Sequence, residues 1–287
     1  ICQYARGEPL PDGPVADPPP PDLCPPLPEN FDIPAGEPDF LREVQRGRPF
    51  VWPTVDWTPE QWRRYRWAYY RMVERVDFEI GRVLDALEAT GQGENTLVVF
   101  LSDHGDGHGH HRWSQKHVLY DEVVRVPLIA GFLGREDGRT DESHLVNVDL
   151  DLMPTLCDYA GADAPDGLRG RSLRPLIDGA DNPEWRDEVV VETQFGSREG
   201  PHLGCGRMLR TNRYKYILYS RGEPSEQLFD MIHDPWETRS LIDDPAHAKA
   251  LDDLRRRLAA WQRETEDPYP EVPPQPGAAY HEAAKEK

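Results

Sequence analysis

The chain has 287 residues, and its 52 acidic side chains outnumber its 33 basic ones, which gives a formal net charge of −19. This charge argues against non-specific binding to nucleic acid or to an anionic membrane, since both are themselves negatively charged. A chain of this length can bury one large core, or one core and a small satellite. No apolar run approaches the roughly 20 residues of a membrane span.

The first residue and the cysteines leave the cellular compartment open. The chain starts at Ile1 and shows no secretory segment, which leaves the periplasm, the exterior and the cytoplasm as alternatives. Its four cysteines are widely spaced and form no CxxC pair: Cys2, Cys24, Cys157 and Cys205. Two disulfides and four free thiols are both compatible with that spacing.

Residues 1–57 are predicted to be irregular, because prolines dominate the run Pro18–Pro28. Each proline removes a backbone donor and fixes φ, which excludes a helix or a central strand. A disordered linker is one interpretation. An extended segment packed on the surface of the domain is favoured by its apolar side chains, Leu23, Leu27, Phe31, Ile33 and Phe40.

A long helix is predicted to begin at Thr58, which is a suitable N-cap, with Pro59 in the first helical position and Gln61 completing a capping box. Gly91 is predicted to end it. After a short turn, the apolar run Thr96–Leu101 predicts a buried strand. Seven apolar side chains recur in the helix at three- and four-residue steps and predict one core-facing stripe: Tyr65, Tyr69, Met72, Val76, Ile80, Val83 and Leu87.

The rest of the pattern predicts an α/β fold: part of a mixed or parallel sheet flanked by helices, followed by a small antiparallel sheet with a C-terminal helix. A strand is predicted at Arg125–Ala130, and a helix at Asp149–Gly161 with Asp151 as its N-cap. The later predicted elements are strands at Glu188–Phe195, Arg207–Thr211, Tyr214–Ser220 and Gln227–Asp230, and an amphipathic helix from Pro245 to about Gln262.

Candidate functional residues follow the strand Thr96–Leu101. In a parallel α/β sheet, ligands bind just past the carboxyl ends of the strands, so Asp103 and His104 are candidate ligands of a divalent metal. A capping Asp and an ordinary loop His are the alternative. Lys116 could neutralise a bound anion, or be a solvated surface residue. Further candidate donors or acids surround it: His108, His110, His111, Arg112 and His117.

Several motifs, in order, resemble the sulfatases of the alkaline-phosphatase-like superfamily. The stretch Thr96–Asp106, followed by Lys116 and Tyr120–Ile129, is similar to the second signature region of that family. The similarity spans about residues 60–267. It continues in Asp149–Gly161, Gly170–Leu173, Arg210–Tyr216, Leu228–Asp230 and Asp234–Thr238.

The resemblance implies roles for individual residues. Asp103 and His104 would be two of the four protein ligands of Ca²⁺ or a similar divalent cation, and Lys116 would be catalytic and bind the sulfate group. His111 would lie near the substrate. The loop Gly107–Gln115 and the stretch Gly196–Gly206 are expected to choose the substrate, and His202 in the second is a candidate substrate ligand or an ordinary loop histidine.

The family nucleophile is a formylglycine made from Cys or Ser in a C/S-x-P-x-R motif, and this sequence does not contain that motif. Cys24 has a proline two places on, but Pro28 stands where the motif requires Arg. The sequence is therefore interpreted as the C-terminal half to two-thirds of a sulfatase, with the formylglycine expected in the missing N-terminal part.

On this interpretation residues 1–57 form a Pro-rich segment packed on the α/β domain, 58–185 the C-terminal part of that domain, 186–266 a C-terminal α+β subdomain, and 267–287 a flexible tail. The parent protein is expected to hydrolyse a small sulfated substrate, and this chain alone to be inactive. The alternatives are a phosphodiesterase or phosphonate monoester hydrolase of the same superfamily, and a non-catalytic sulfatase-like protein. No nucleic-acid or membrane partner is expected, and the oligomeric state is open.

Overall fold

The computed structural model describes residues 19–46, 54–134, 138–180, 183–196 and 203–269. They fall into two compact units that alternate along the chain. The described residues up to 72, those at 105–125 and those from 190 onward belong to the first unit, and the described residues within 73–104 and 126–189 belong to the second. The domain boundaries predicted at residues 57, 185 and 266 stay predictions.

The predicted fold class is confirmed as a mixed α/β chain with a small antiparallel sheet and a C-terminal helix. In chain order the elements are α1 (Phe40–Arg46), α2 (Pro59–Ala89), β1 (Leu97–Leu101), α3 (Asp121–Val124), β2 (Leu128–Phe132), α4 (Val148–Ala160), α5 (Arg174–Ile177), β3 (Glu188–Phe195), β4 (Gly204–Thr211), β5 (Tyr214–Tyr219), β6 (Glu226–Asp230) and α6 (Ala248–Thr265).

Strands β1 and β2 form a two-stranded antiparallel sheet in the second unit, with Leu97 opposite Phe132 and Leu101 opposite Leu128. The sequence pattern predicts Asp103 at the carboxyl end of a strand with parallel neighbours. Among the described residues, the neighbour of β1 runs the other way. Asp103 still follows the carboxyl end of its strand, but the parallel-sheet rule does not apply to this pair.

The four-stranded sheet has the order β3-β4-β5-β6. Strands β4 and β5 form the predicted hairpin, which brings Arg210 opposite Lys215 on either side of Asn212 and Arg213. Helix α6 packs on this sheet through Leu251, Leu254 and Leu258, which join a hydrophobic cluster with residues of β4, β5 and β6. The spacing of these leucines already predicted one buried face of the helix.

The largest hydrophobic cluster also lies in the first unit, and it draws on residues far apart in sequence. Phe40 of α1 packs edge-on against Phe195 of β3 and Tyr219 of β5, with ring centroids 5.3 Å apart in both pairs. Part of the segment 1–57 therefore contributes directly to this core. The prediction that this whole segment is irregular is wrong at Phe40–Arg46, which form helix α1.

The start of α2 agrees with the prediction. The backbone N–H of Thr58 donates to Gln61 Oε1 at 2.8 Å, and the N–H of Gln61 donates back to Thr58 Oγ1 at 3.3 Å, which completes the capping box. Gly91 adopts a left-handed φ of 69° just past the end of the helix.

The core-facing stripe predicted along α2 is wrong at three of its seven positions, while Tyr69, Ile80 and Leu87 are half-buried. Tyr65 is buried, but Met72, Val76 and Val83 are 47%, 55% and 67% exposed. From residue 73 the helix belongs to the second unit, in which Leu173 is the one fully buried large apolar side chain among the described residues. Periodicity shows that a helix has an apolar face, but not that another element covers it.

Helix α4 begins one turn earlier than its predicted cap. Asn147 is the N-cap and accepts from the N–H of Leu150, whereas Asp151 lies inside the helix and is fully buried. The carboxylate of Asp151 instead forms a two-pronged ion pair with Arg186 and accepts from the backbone N–H of Arg171. A buried carboxylate needs such a partner. Asp151 Oδ2 also accepts from the backbone N–H of Asn147 at 2.9 Å, so Asp151 supports the start of the helix from inside it rather than as the N-cap.

Cys24, Cys157 and Cys205 are free thiols in the structure. Cys2 lies outside the described residues. Across the part of the chain that the structure describes, no helix is both long enough and apolar enough to span a bilayer.

Candidate functional site

Asp103 and His104 lie together just after β1, in the second unit. Asp103 Oδ2 is 3.5 Å from His104 Nε2, and their side chains are 82% and 39% exposed. Asp103 Oδ1 accepts from the backbone N–H of His104 at 2.9 Å, and Ser102 Oγ donates to the carbonyl of His104 at 2.8 Å. A carboxylate oxygen and an imidazole nitrogen at this spacing can serve as two ligands of one divalent cation.

The histidine loop, residues 105–117, lies in the first unit and is unusual in its backbone. Seven described non-glycine residues have a positive φ, and five of them lie in this loop: His108, His111, Arg112, Gln115 and His117. Such conformations are costly for residues with a side chain, and they persist where the surroundings enforce them, typically at functional sites. This strain is not predictable from the sequence, because none of the five residues is a glycine.

Two glycines of the loop are required by close backbone contacts. A Cβ on Gly105 would lie 2.0 Å from the carbonyl oxygen of Glu122, and one on Gly107 would lie 2.7 Å from that of Trp113. The N–H of Gly105 donates to the carbonyl of Val123, and that of Gly107 to the carbonyl of Gln115. These glycines thus let the loop fold against itself and against α3.

The start of the loop is held by α2. Tyr65 OH donates to the carboxylate of Asp106 at 2.8 Å, and Asp106 also accepts from the backbone N–H of His108 at 2.7 Å. The His108 ring packs between Tyr69 and Tyr70, at centroid distances of 4.6 and 5.1 Å. Burial in this aromatic environment lowers the pKa of His108 to about 3, which keeps the imidazole neutral.

His111 is almost completely buried, with 1% of its side chain exposed. Its ring lies 4.2 Å from that of Tyr120, and its Nε2 is 3.2 Å from Asn30 Nδ2 and 3.7 Å from Glu122 Oε2. Burial lowers its pKa to about 4, although the Glu122 carboxylate opposes that effect. The predicted contact of His111 with substrate stays a prediction, and its observed environment is made of protein groups.

Glu122 links His111 to the rest of this cluster. Its Oε1 accepts from Asn30 Nδ2 at 2.9 Å and lies 2.9 Å from His110 Nδ1. Despite burial, these histidine and amide contacts lower the pKa of Glu122 to about 2. The His110 ring stacks on Trp236 with a centroid distance of 6.1 Å.

His111, Glu122 and Glu237 offer donor atoms within 4.8 Å of one another, a spacing compatible with a metal ion. Protein donors already occupy this cluster, however. Lys215 Nζ is 2.8 Å from Glu237 Oε1 and 2.5 Å from Asp121 Oδ1, and its side chain is fully buried. Because the Lys215 cation already pairs with Glu237, one of the three candidate ligands, we interpret this group as a buried ion-pair cluster.

Lys116 is exposed, and its backbone is tightly held on both sides. It lies between Gln115 and His117, whose φ values are 65° and 86°. Its carbonyl accepts from Trp113 Nε1 at 3.0 Å, and the carbonyl of His117 accepts from Thr193 Oγ1 at 2.7 Å. The backbone around Lys116 is therefore held on both sides, whereas the residue itself is exposed to solvent.

The structure therefore brings together Asp103 with His104 in one unit, and His110 with His111 in the other. Lys116 lies in the same unit as the two histidines of the second pair. His202 lies outside the described residues. The sequence does not reveal the roles of Asn30, Glu122 and Lys215. Asn30 and Glu122 are hydrogen-bonded to each other but lie 92 residues apart, and Lys215 belongs to a motif that suggests no chemistry.

Two family models match this chain. The sulfatase model matches residues 19–162, and the model described as N-sulphoglucosamine sulphohydrolase, C-terminal, matches residues 109–264. The chain belongs to the sulfatase family. The matches confirm the family resemblance seen in the sequence, and they include the whole histidine loop between them.

Known sulfatases are similar over most of this chain. A Δ4,5-hexuronate-2-O-sulfatase of Bacteroides thetaiotaomicron is 34% identical over 262 residues, which cover 90% of this chain and 53% of that protein. An arylsulfatase of Clostridium perfringens is 35% identical over 201 residues, which cover 68% of this chain and 40% of that protein. The chain spans about half the length of the curated relatives it matches.

Solved structures agree with this assignment. A 2-O GAG sulfatase shares 32% identity and a TM-score of 0.80, with 94% of this chain and 58% of that chain covered. A phosphonate monoester hydrolase from Silicibacter pomeroyi shares 29% identity and a TM-score of 0.66, with 85% of this chain and 51% of that chain covered. The fold is thus shared by enzymes that act on sulfur and on phosphorus esters.

Proposed function

We propose that this sulfatase-family chain supplies part of the active site of a sulfuric ester hydrolase that cleaves a sulfate monoester on a carbohydrate. The observation that carries the proposal is the Asp103–His104 pair after β1, within a family in which the matched relatives include a hexuronate-2-O-sulfatase and an N-acetylglucosamine-6-O-sulfatase. A small anionic substrate is compatible with the net charge of −19 if positive charge is concentrated at the site.

Asp103 and His104 would hold a divalent cation, with Ca²⁺ as the first candidate. The donor set fits: an exposed carboxylate oxygen lies 3.5 Å from an imidazole nitrogen, and oxygen ligands are what Ca²⁺ prefers. When bound, the cation would offset negative charge on the ester oxygens. Two protein ligands alone bind Ca²⁺ weakly, so the full affinity would need further ligands from outside these 287 residues.

Lys116 would bind the sulfate group as a point charge. Its ammonium group is exposed, whereas its backbone is fixed by the strained residues Gln115 and His117 and by Trp113. A fixed backbone limits the positions that a flexible lysine can reach, and this lowers the entropic cost of holding the anion.

The nucleophile would be a formylglycine outside these 287 residues, since no C/S-x-P-x-R motif is present in them. A hydrated formylglycine supplies a hydroxyl that can attack sulfur. The 287-residue chain alone is therefore expected to be inactive. If the protein has no formylglycine, it is a non-catalytic sulfatase-like protein.

The test uses a longer form of the protein that includes a formylglycine motif. Hydrolysis of an aryl sulfate should require a divalent cation, and Asp103→Asn should remove most of the activity. Asp163→Asn, which changes an exposed carboxylate in the same unit, is the matched control and should leave activity unchanged. Wild-type turnover by Asp103→Asn, with cation retained, would contradict the assignment.

A phosphonate monoester hydrolase is the second candidate, because two such enzymes are among the structural neighbours, at 29% and 28% identity. Turnover rates on an aryl sulfate, a phosphate diester and a phosphonate monoester, measured side by side, separate the two functions. A clear preference for either phosphorus ester would replace the sulfatase proposal with this one.

A further inference from the structure

Two side chains of α1 donate to the carbonyls of consecutive strained residues in the histidine loop. Arg42 Nη2 donates to the carbonyl of His111 at 2.8 Å, and Gln45 Nε2 donates to the carbonyl of Arg112. Both accepting residues are left-handed, with φ values of 51° and 54°. Helix α1 therefore contacts the loop at two of its five left-handed non-glycine residues.

The two donors are themselves held in place. Arg42 Nη1 donates to Gln45 Oε1 at 2.8 Å, which turns the amide so that its NH₂ group faces the loop. Glu37 accepts from Arg42 Nε and Nη2 at 2.6 and 2.7 Å, and Tyr120 OH donates to the same carboxylate at 2.9 Å. Gln45 is fully buried, so water cannot replace its hydrogen bonds.

A path of direct contacts connects this pair to Lys116. The Arg42 guanidinium lies over the Trp113 ring, 5.8 Å from its centroid, and Trp113 Nε1 donates to the carbonyl of Lys116 at 3.0 Å. Gln45 Nε2 also donates to Thr54 Oγ1 at 2.9 Å. Movement of Arg42 or Gln45 would thus disturb both the strained carbonyls and the ring that holds Lys116.

We infer that Arg42 and Gln45 are positioning residues, which hold the histidine loop in its strained shape and thereby fix the position of Lys116. The role in catalysis rests on the proposed function, whereas the role in loop structure does not. Neither side chain touches substrate on this account. Their effect passes through the carbonyls of His111 and Arg112 and through the Trp113 ring.

The structural part is tested by hydrogen exchange with mass spectrometry on the 287-residue chain. Gln45→Met keeps the size of the side chain but removes its amide. The backbone amides of Gly107, Gly109 and Trp113, which are hydrogen-bonded within the loop, should exchange roughly tenfold faster in the variant. Strands β4 and β5 should keep their protection.

Arg63→Met is the matched control. Arg63 also donates to backbone carbonyls, those of Pro25 and Cys24, but outside the histidine loop. It should leave exchange in the loop unchanged. Unchanged loop exchange in Gln45→Met would overturn the inference. Faster exchange that extends through β4 and β5 would also overturn it, because Gln45 would then hold the whole unit rather than the loop.

The catalytic part is tested in the longer, active protein with an aryl sulfate. Gln45→Met should lower kcat by roughly 100-fold, the effect expected of misplacing a reacting group by about 1 Å. Arg42→Lys, which keeps the charge opposite Glu37, should recover part of the loss seen in Arg42→Met. Faster exchange in the loop with an unchanged kcat would contradict the role of Arg42 and Gln45 in catalysis but not their role in loop structure. If the wild-type protein has no sulfatase activity, the proposed function fails, and the exchange experiment still decides the structural part.

Discussion

The buried Lys215 offers a quantitative test of the cluster that joins α3 to the C-terminal sheet. Lys215→Met removes the cation and leaves Glu237, which is 1% exposed, without its partner. Removing one member of a buried pair typically costs 3–5 kcal/mol when the other stays charged, which gives an expected loss of about that size at pH 8. Asp121, the second partner of Lys215, adds to the loss.

The loss of unfolding free energy should depend on pH, because Glu237 becomes neutral when it takes up a proton and then needs no cation. Burial raises its pKa to about 7 even with Lys215 present, and the variant raises it further. A raised pKa means that the folded chain binds the proton more readily than the unfolded one, so this contribution to stability is present at low pH and is lost as pH rises through 7. The variant should therefore be ~1–2 kcal/mol less impaired at pH 6 than at pH 8.

Urea unfolding at pH 6 and pH 8, followed by tryptophan fluorescence, measures both effects. Lys249→Met, an exposed lysine on α6, is the matched control and should change the free energy of unfolding by less than about 0.5 kcal/mol. Glu237→Gln added to Lys215→Met should recover part of the loss, since the neutral amide needs no cation. A loss below about 1 kcal/mol at pH 8, or equal losses at both pH values, would refute the reasoning.

Three further outcomes are expected. Burial lowers the pKa of His111 to about 4, below its unfolded value, so the folded chain binds this proton less readily than the unfolded chain. The free energy of unfolding should therefore fall as pH drops from 6.5 to 4. Urea unfolding curves of His111→Gln should show a smaller decline. In Gly170→Ala the new Cβ would lie 1.7 Å from the carbonyl oxygen of Leu150, so thermal unfolding should show a loss of about 1–3 kcal/mol, whereas Gly138→Ala, with open space around it, should show little change. Thr58→Ala removes one half of the α2 capping box and should cost about 1 kcal/mol, and unchanged circular dichroism melting would contradict this.

Local sequence signals predicted the elements well. The capping box at Thr58, the glycine that ends α2 and the β4–β5 hairpin each depend on residues within a few positions of one another, and all three are confirmed. The family motifs predicted the sulfatase fold because they recur in a fixed order over most of the chain.

Features that depend on distant partners were not predictable in the same way. The local sequence around Asp151 is typical of an N-cap, but its carboxylate pairs with Arg186, which lies 35 residues later in the chain. The apolar stripe of α2 was real as a pattern, but a pattern does not reveal whether a neighbour covers it. The left-handed histidines arise because side chains such as Arg42 enforce them, and no local rule predicts a non-glycine residue there.

The alternation of the two units along the chain sets the order in which the protein can fold. The core of the first unit combines Phe40 of α1 with Phe195 of β3 and Tyr219 of β5, so it cannot close until segments more than 150 residues apart in sequence are both present. The side-chain amide of Asn30 donates a hydrogen bond to the carbonyl of Trp236, which lies 206 residues later in the chain. Closing such long loops is slow and leaves apolar surface unprotected in the meantime. The apolar surface of the N-terminal elements therefore stays uncovered until residues near the other end of the sequence are available to pack on it.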